Sequence, residues 1–167
     1  MADLKSKEIR SEITSEGKLN LSIVTSKVPI PGDNEVLIKV EASPINPSDL
    51  GLLISFAADL DSISSEGSGD KTVTTMGIHP GLMQSMKPRI DKSMKVGNEG
   101  GGIIIEAGKN VKNLIGKTVG VAGGAMYSQY RCLPAMSCLV MNEGTTSAEA
   151  ASSFVNPLTA LGFTETM

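Results

Sequence analysis

The stretch VGNEGGGIIIEAG, residues 96–108, has four glycines at 97 and 100–102, and the last three stand directly before a run of three isoleucines. A glycine cluster suggests phosphate binding, but a dinucleotide fingerprint needs the spacing G-x-G-x-x-G between a strand and the helix after it. These glycines lack that spacing, and they precede the apolar run instead of following it. We therefore predict a tight turn and close backbone packing before a buried strand over Ile103–Ile105.

The sequence on either side of this stretch also has the pattern of β-strands. EVLIKVEA (35–42) alternates between apolar and charged side chains, which predicts a half-buried strand. LNLSIV (19–24), KTVGVAG (117–123) and YSQYRCL (127–133) are further strand candidates. Short strands separated by turns rich in glycine and proline are typical of a small barrel or sandwich.

The region between these strands has a different character. Ser48 or Asp49 can cap a short helix over Leu50–Leu60, because both residue types accept hydrogen bonds from the first turn. Residues 61–91 are rich in Ser, Gly, Thr and Met and show no clear periodicity. We predict a long variable surface loop there, at the rim of a cleft.

The last residues change to a helical pattern. Thr146 or Ser147 is the predicted N-cap of an alanine-rich helix, and Pro157 fits the first turn of a second helix. That helix is expected to continue to Met167, without a glycine to end it. The pattern has the appearance of an interrupted chain.

Composition excludes several classes of function. The chain has 167 residues, a net charge of −3 and 3% aromatic residues without tryptophan. It therefore offers neither the basic surface nor the stacking side chains that nucleic-acid binding requires. The N-terminus has no apolar signal segment, and no apolar run reaches the length of a membrane span. We predict a cytoplasmic protein that binds neither nucleic acid nor membrane.

The usual motifs of metal and nucleophile chemistry are absent from the sequence. Cys132 and Cys138 lie six residues apart, which suits neither a zinc knuckle nor a redox pair, and two partly buried thiols are the simpler interpretation. His79 is the single histidine and has no ligand partners at metal spacing. GKT (116–118) lacks the first glycine of a P-loop, and there is no G-x-S-x-G.

Four segments in order resemble a known family. These are PGDNEVLIKVEASPINPSDL, VGNEGGGIIIEAG, GKTVGV and NPLTALGF, and together they look like the N-terminal half of a medium-chain dehydrogenase/reductase. The resemblance implies an α+β fold that is mainly β, a GroES-like partly open barrel with short helices over residues 1–145. Residues 146–167 then resemble the first helices of a Rossmann domain that is otherwise absent from the sequence.

The departures from the family pattern indicate its zinc-independent branch. Zinc-binding members have a cysteine after the strand at 35–42 and a histidine in a G-H-E motif, whereas this sequence has Asn46 and Asn98. Asparagine is a poor zinc ligand, so no zinc is expected. The resemblance is to quinone oxidoreductases and 2-enoyl thioester reductases, which implies NADPH as cofactor.

The resemblance also implies site residues. Asn46 of the N-P-x-D motif is predicted to line the cleft and, with Ser48, to donate hydrogen bonds to a developing oxyanion. Asn156 and Thr159 are predicted to lie near the nicotinamide together with Asn46. Simpler interpretations stay open: Asn46 shapes a turn between two prolines, and Ser48 caps a helix.

A tyrosine acid used by the enoyl reductases has no counterpart after this motif, where Gly51 and Phe56 stand instead. Tyr127 and Tyr130 are interpreted as packing residues of a strand rather than as acids.

The function implied is the reduction of an activated C=C or carbonyl group of a small-molecule substrate with NADPH. Because the pyrophosphate-binding loop is missing, we expect this chain to be inactive alone. The alternative is a non-enzymatic GroES-like binding or assembly module. In either case the apolar side chains of residues 154–167 predict a homo-oligomer or pairing through the C-terminal helix.

Overall fold

The computed structural model describes residues 4–166, and its strands form two antiparallel sheets of five. The first sheet has the order β4-β5-β2-β1-β6, and the second has the order β10-β8-β7-β3-β9. The strands are β1 (Lys5–Ile13), β2 (Lys18–Lys27), β3 (Glu35–Ala42), β4 (Ala58–Glu66), β5 (Val73–Ile78), β6 (Met94–Lys95), β7 (Gly100–Ala107), β8 (Thr118–Val121), β9 (Tyr130–Pro134) and β10 (Cys138–Val140). Together with four short helices they confirm the predicted α+β fold.

The second sheet contributes the hydrophobic core around Ile104, which belongs to the stretch at residues 96–108. β3 has the predicted bounds and pairs with β7 on one side and β9 on the other. Ile104 is fully buried and shares a cluster with side chains from the neighbouring strands and loop, namely Val36, Ile38, Val119, Val121, Met126 and Leu133. The alternation in β3 predicted the inward position of Val36 and Ile38, and the run of isoleucines predicted the burial of Ile104.

The first sheet holds a smaller core and corrects the prediction of a long loop at 61–91. That region instead contains most of β4, all of β5, and the short helix α2 (Met83–Met86). β4 and β5 form an antiparallel pair, and β5 also pairs with β2. Because almost all of β4 is exposed on both faces, its serines and aspartates give no apolar alternation to read. β1, which no pattern predicted, pairs with β2 over its full length.

The first helix, α1, spans Pro47–Leu53, so the predicted helix over 50–60 was wrong at both ends. Its N-cap is Asn46 rather than Ser48 or Asp49, and Pro47 occupies the first helical position, where a missing N–H costs nothing. The helix stops before Ser55, which has a left-handed φ of 64°, and β4 follows at Ala58.

The glycines of the opening stretch allow a turn and a close helix contact. Gly97 has a φ of 93°, a conformation that favours glycine. A Cβ built on Gly101 would lie 2.4 Å from the carbonyl oxygen of Ser147. Ser147 is the first residue of α3 (Ser147–Ala151), which packs against β7. The prediction of a tight turn and close packing is confirmed.

The C-terminal helices begin as predicted, but the second one protrudes. The Thr146 hydroxyl accepts the backbone N–H of Glu149 and caps α3. The second helix, α4, spans Val155–Glu165 with Pro157 in its first turn, and residues 156–166 are all exposed. The predicted end at Met167 lies outside the described residues. Within residues 4–166 no helix is long and apolar enough to cross a membrane.

Candidate active site

Three elements meet at one buried carboxylate. Glu99, immediately before β7, has no exposed surface. Its Oε1 accepts the side-chain N–H of Asn46 at 2.8 Å. Its Oε2 accepts the backbone N–H groups of Phe154 and Val155, each at 3.0 Å. The residue therefore connects the start of α1, the start of β7 and the start of α4.

Glu99 supplies the N-terminal cap that α4 lacks in its own sequence. The first N–H groups of a helix have no partner within the helix, and a side-chain oxygen normally satisfies one of them. Phe154 is the N-cap residue of α4 and has no side chain that can accept a hydrogen bond. A carboxylate at this end also interacts favourably with the helix dipole.

A second buried carboxylate fixes the turn that carries Asn46. Asp49 is 2% exposed, and its two oxygens accept the backbone N–H of Asn46 at 2.8 Å and that of Asn98 at 2.7 Å. It therefore links the first turn of α1 to the segment that leads into β7. The sequence prediction identified Asp49 only as a possible helix cap, and its tertiary contact with Asn98 was not foreseen.

The Asn46 amide lies inside this network. The residue is 3% exposed, its Nδ2 donates to Glu99, and its Oδ1 accepts from Asn156 Nδ2 at 3.3 Å. The structure thus places the predicted site residues Asn46 and Asn156 in contact, although they are 110 residues apart in sequence. Asn46 is also the N-cap of α1. It therefore shapes the turn between the two prolines, as the simpler interpretation proposed.

Ser48 lies at the exposed edge of the same cluster. Its Oγ accepts a hydrogen bond from Asn98 Nδ2 at 3.0 Å, which leaves its own O–H proton available to another acceptor. Asn98, the residue that the resemblance compares with a zinc-ligand histidine, uses its side chain here to hold Ser48. In residues 4–166 no three His, Cys, Asp or Glu side chains are grouped closely enough to hold a metal ion.

Thr159 is the predicted site residue that makes no hydrogen bond to the network around Asn46, Asn98 and Glu99. It is exposed on α4, one turn beyond Asn156, and its hydroxyl donates to the Val155 carbonyl at 2.7 Å. Such a bond to the preceding turn is common for threonine in helices.

Tyr127 borders both the network and a cleft of about 390 Å³. Its hydroxyl donates to the carbonyl oxygen of Pro44 at 3.0 Å. Burial, and secondarily the negative charge of the nearby Asp49, raise the pKa of Tyr127 to about 12. The cleft is lined mainly by apolar side chains, including Ile45, Leu53 and Met126. At neutral pH the hydroxyl therefore keeps its proton beside an apolar cleft.

Sequence reasoning missed the role of Glu99, although a signal for it existed. In the G-H-E motif of the family, the sequence analysis compared only the middle position, Asn98, with a zinc-ligand histidine. The acidic residue that follows it, Glu99, was not predicted to have a role. An acidic side chain between a glycine turn and a buried strand is itself unusual, because carboxylates are rarely fully buried without partners.

No protein-family model matches the sequence, and no curated protein matches it. Solved structures do match. The quinone oxidoreductase of Coxiella burnetii shares 22% identity with a TM-score of 0.63, covering 98% of this chain and 45% of its own. The Escherichia coli quinone oxidoreductase complexed with NADPH shares 20% identity with a TM-score of 0.59, covering 96% and 40%.

The CurK enoyl reductase is similar as well, with 18% identity and a TM-score of 0.60 over 93% of this chain and 41% of its own. The predicted resemblance to quinone oxidoreductases and enoyl reductases is thereby confirmed at the level of the fold. The chain spans less than half the length of these structures.

Proposed function

We propose that this chain is the substrate-facing portion of a zinc-independent, NADPH-dependent oxidoreductase that reduces an activated C=C or carbonyl group of the quinone, enone or enoyl type. The observation that carries the proposal is the contact between Asn46 and Asn156, held by the buried Glu99. These are two of the residues that the family resemblance assigns to the site, and they lie 110 residues apart in sequence.

The residues divide into groups that position and groups that touch the reactants. Glu99 and Asp49 are buried and fix the starts of α1 and α4. Ser48 is exposed, and its hydroxyl oxygen accepts a hydrogen bond from Asn98 Nδ2. The hydroxyl therefore keeps its own proton for donation. In this proposal Ser48 donates a hydrogen bond to the substrate oxygen as negative charge develops there, which is the role that zinc has in metal-dependent relatives.

NADPH, when bound, supplies the hydride. Asn156 and Thr159 face solvent on α4, where a nicotinamide ring can approach them, and Asn46 limits the side-chain movement of Asn156 through their mutual hydrogen bond. Residues 146–167 are proposed to begin a nucleotide-binding domain, and residues 1–145 to form the barrel. The chain alone is proposed to be inactive, because it has no loop suited to the pyrophosphate.

The test is to express the chain together with whatever coding sequence follows residue 167, and to follow NADPH oxidation in the presence of quinones and enones. Activity that falls at least tenfold in Ser48→Ala, with the fold intact, supports the proposal. A longer protein without a glycine fingerprint, or one that never oxidises NADPH with any of these acceptors, contradicts it. Oxidation of NADPH by the present chain alone, with any of these acceptors, would refute the inactivity of the chain alone.

The second candidate is a non-enzymatic assembly module, and the exposed apolar side of α4 is the observation that favours it. Leu158, Leu161 and Phe163 are 59%, 54% and 67% exposed. Such side chains normally pack against another surface. A stop codon directly after residue 167, together with a stable oligomer and no oxidation of NADPH, would favour this function over the first.

A further inference from the structure

The buried Glu99 carboxylate determines which way two amide side chains point. Asparagine carries a donor and an acceptor that exchange places when the side chain flips, so its orientation must be deduced from its partners. The Oε2 atom of Glu99 accepts two backbone N–H groups, and its Oε1 lies 2.8 Å from the side-chain amide of Asn46. A carboxylate can only accept hydrogen bonds. Asn46 must therefore direct Nδ2 toward Glu99 and Oδ1 away from it.

The same reasoning extends one residue further. Asn46 Oδ1 is an acceptor and lies 3.3 Å from the side chain of Asn156, which must therefore present Nδ2 to it. The Asn156 Oδ1 atom then points to the other side. Asn156 is exposed, and among residues 4–166 no side chain or backbone donor binds that oxygen. The site thus offers a fixed acceptor to a ligand on the exposed side of α4.

We propose that Glu99 and Asn46 are positioning residues that fix the polarity of Asn156, and that Asn156 Oδ1 accepts an N–H from the carboxamide of a nicotinamide ring. The inference rests on the proposed function, because that function supplies the nicotinamide ring. It goes beyond that function in naming the atom that recognises the cofactor and the buried acid that sets its orientation. A ring substituent that cannot donate a hydrogen bond is disfavoured at this site.

The test compares two probes that differ only in the group concerned. Nicotinamide mononucleotide has a carboxamide with N–H donors, and its acetylpyridine counterpart has a methyl ketone without them. Each is titrated into the chain while the side-chain amide signals of Asn46 and Asn156 are followed by NMR. One neutral hydrogen bond corresponds to a preference of about fivefold for the nicotinamide probe.

Two variants distinguish an effect on the orientation of the Asn156 amide from a general loss of structural support. In Glu99→Gln the buried residue can donate as well as accept, so both asparagines can reverse, and the fivefold preference should fall toward one. Asn156→Ala removes the acceptor and should abolish the preference too. Asn110→Ala is the matched control, because Asn110 donates to Asn34 Oδ1 at 2.9 Å in an exposed pair elsewhere in the chain. It should leave the preference unchanged.

Several results would overturn the inference. These are an equal affinity of the wild-type chain for both probes, a preference that persists in Glu99→Gln, and probes that leave the Asn156 signal unmoved. If Glu99→Gln does not fold, the wild-type preference and Asn156→Ala decide the matter. The proposed function is judged separately by NADPH oxidation in the longer protein. A selective Asn156 in an inactive protein refutes the function and supports the inference, and an active protein without selectivity does the reverse.

Discussion

Replacing Glu99 with glutamine should destabilise the fold substantially while preserving the shape of the side chain. The carboxylate accepts one N–H from Asn46 and two from the start of α4, all between 2.8 and 3.0 Å. Hydrogen bonds to a charged group contribute about 1.5–3 kcal/mol each, against about 1 kcal/mol for neutral ones. Glutamine keeps one accepting oxygen and converts the other to a donor.

The magnitude follows from counting these bonds. If the glutamine oxygen faces Phe154 and Val155, two charged bonds become neutral, at a cost of about 1 kcal/mol each. The new NH₂ group then faces Asn46 Nδ2, and either this bond is lost, at a cost of about 1 kcal/mol, or Asn46 and Asn156 both reverse and keep their mutual bond. Burying a neutral amide is easier than burying a charge, which offsets part of the total. We expect a net loss of about 2 kcal/mol.

Urea denaturation of Glu99→Gln beside the wild-type chain measures this quantity. A loss of about 2 kcal/mol corresponds to a fall of about 4–8 °C in Tm for a chain of this size. Hydrogen exchange at the Phe154 and Val155 amides should accelerate more than exchange in β3. Glu143→Gln is the control, because Glu143 is exposed. A free energy of unfolding within 0.5 kcal/mol of wild type would refute the view that Glu99 holds α4 to the barrel.

Three further predictions concern other parts of the molecule. Gly101→Ala should destabilise the chain by more than about 2 kcal/mol, since the new Cβ would meet the backbone of α3. Gly51→Ala should stabilise the chain by up to about 1 kcal/mol, because Gly51 lies within a helix and a Cβ there would meet open space. Thermal unfolding tests both substitutions, and equal effects on stability would contradict the clash at Gly101. Burial raises the pKa of both Cys132 and Cys138 to about 11. Both thiols therefore stay protonated at neutral pH, and their labelling by a disulfide reagent should remain slow until the pH approaches that value; rapid labelling at neutral pH would contradict this. Self-association through α4 should weaken in Leu161→Lys, as measured by sedimentation over a range of concentrations, and a wild-type chain that stays monomeric throughout would exclude it.

The sequence by itself determined the strands whose two faces differ in environment. β3 was predicted to the residue, because one side of it faces the core and the other carries three charged side chains beside the buried Leu37. The glycines at 97–102 were interpreted correctly because spacing and order are local properties. The start of α3 was readable for the same reason, since Thr146 and Glu149 cap each other within four residues.

Tertiary structure decided the features that depend on residues far apart. β4 and β5 gave no readable pattern, because β4 is almost wholly exposed and β5 carries two threonines near its start. They become strands through pairing, β5 with β2 and β4 with β5. The candidate site is of the same kind, because Glu99 is bonded to residues 53, 55 and 56 positions away. No local rule states that a buried acid after a glycine turn will cap a distant helix and orient Asn46. Such a residue acquires its role only when the fold removes it from water and leaves three N–H groups to satisfy it.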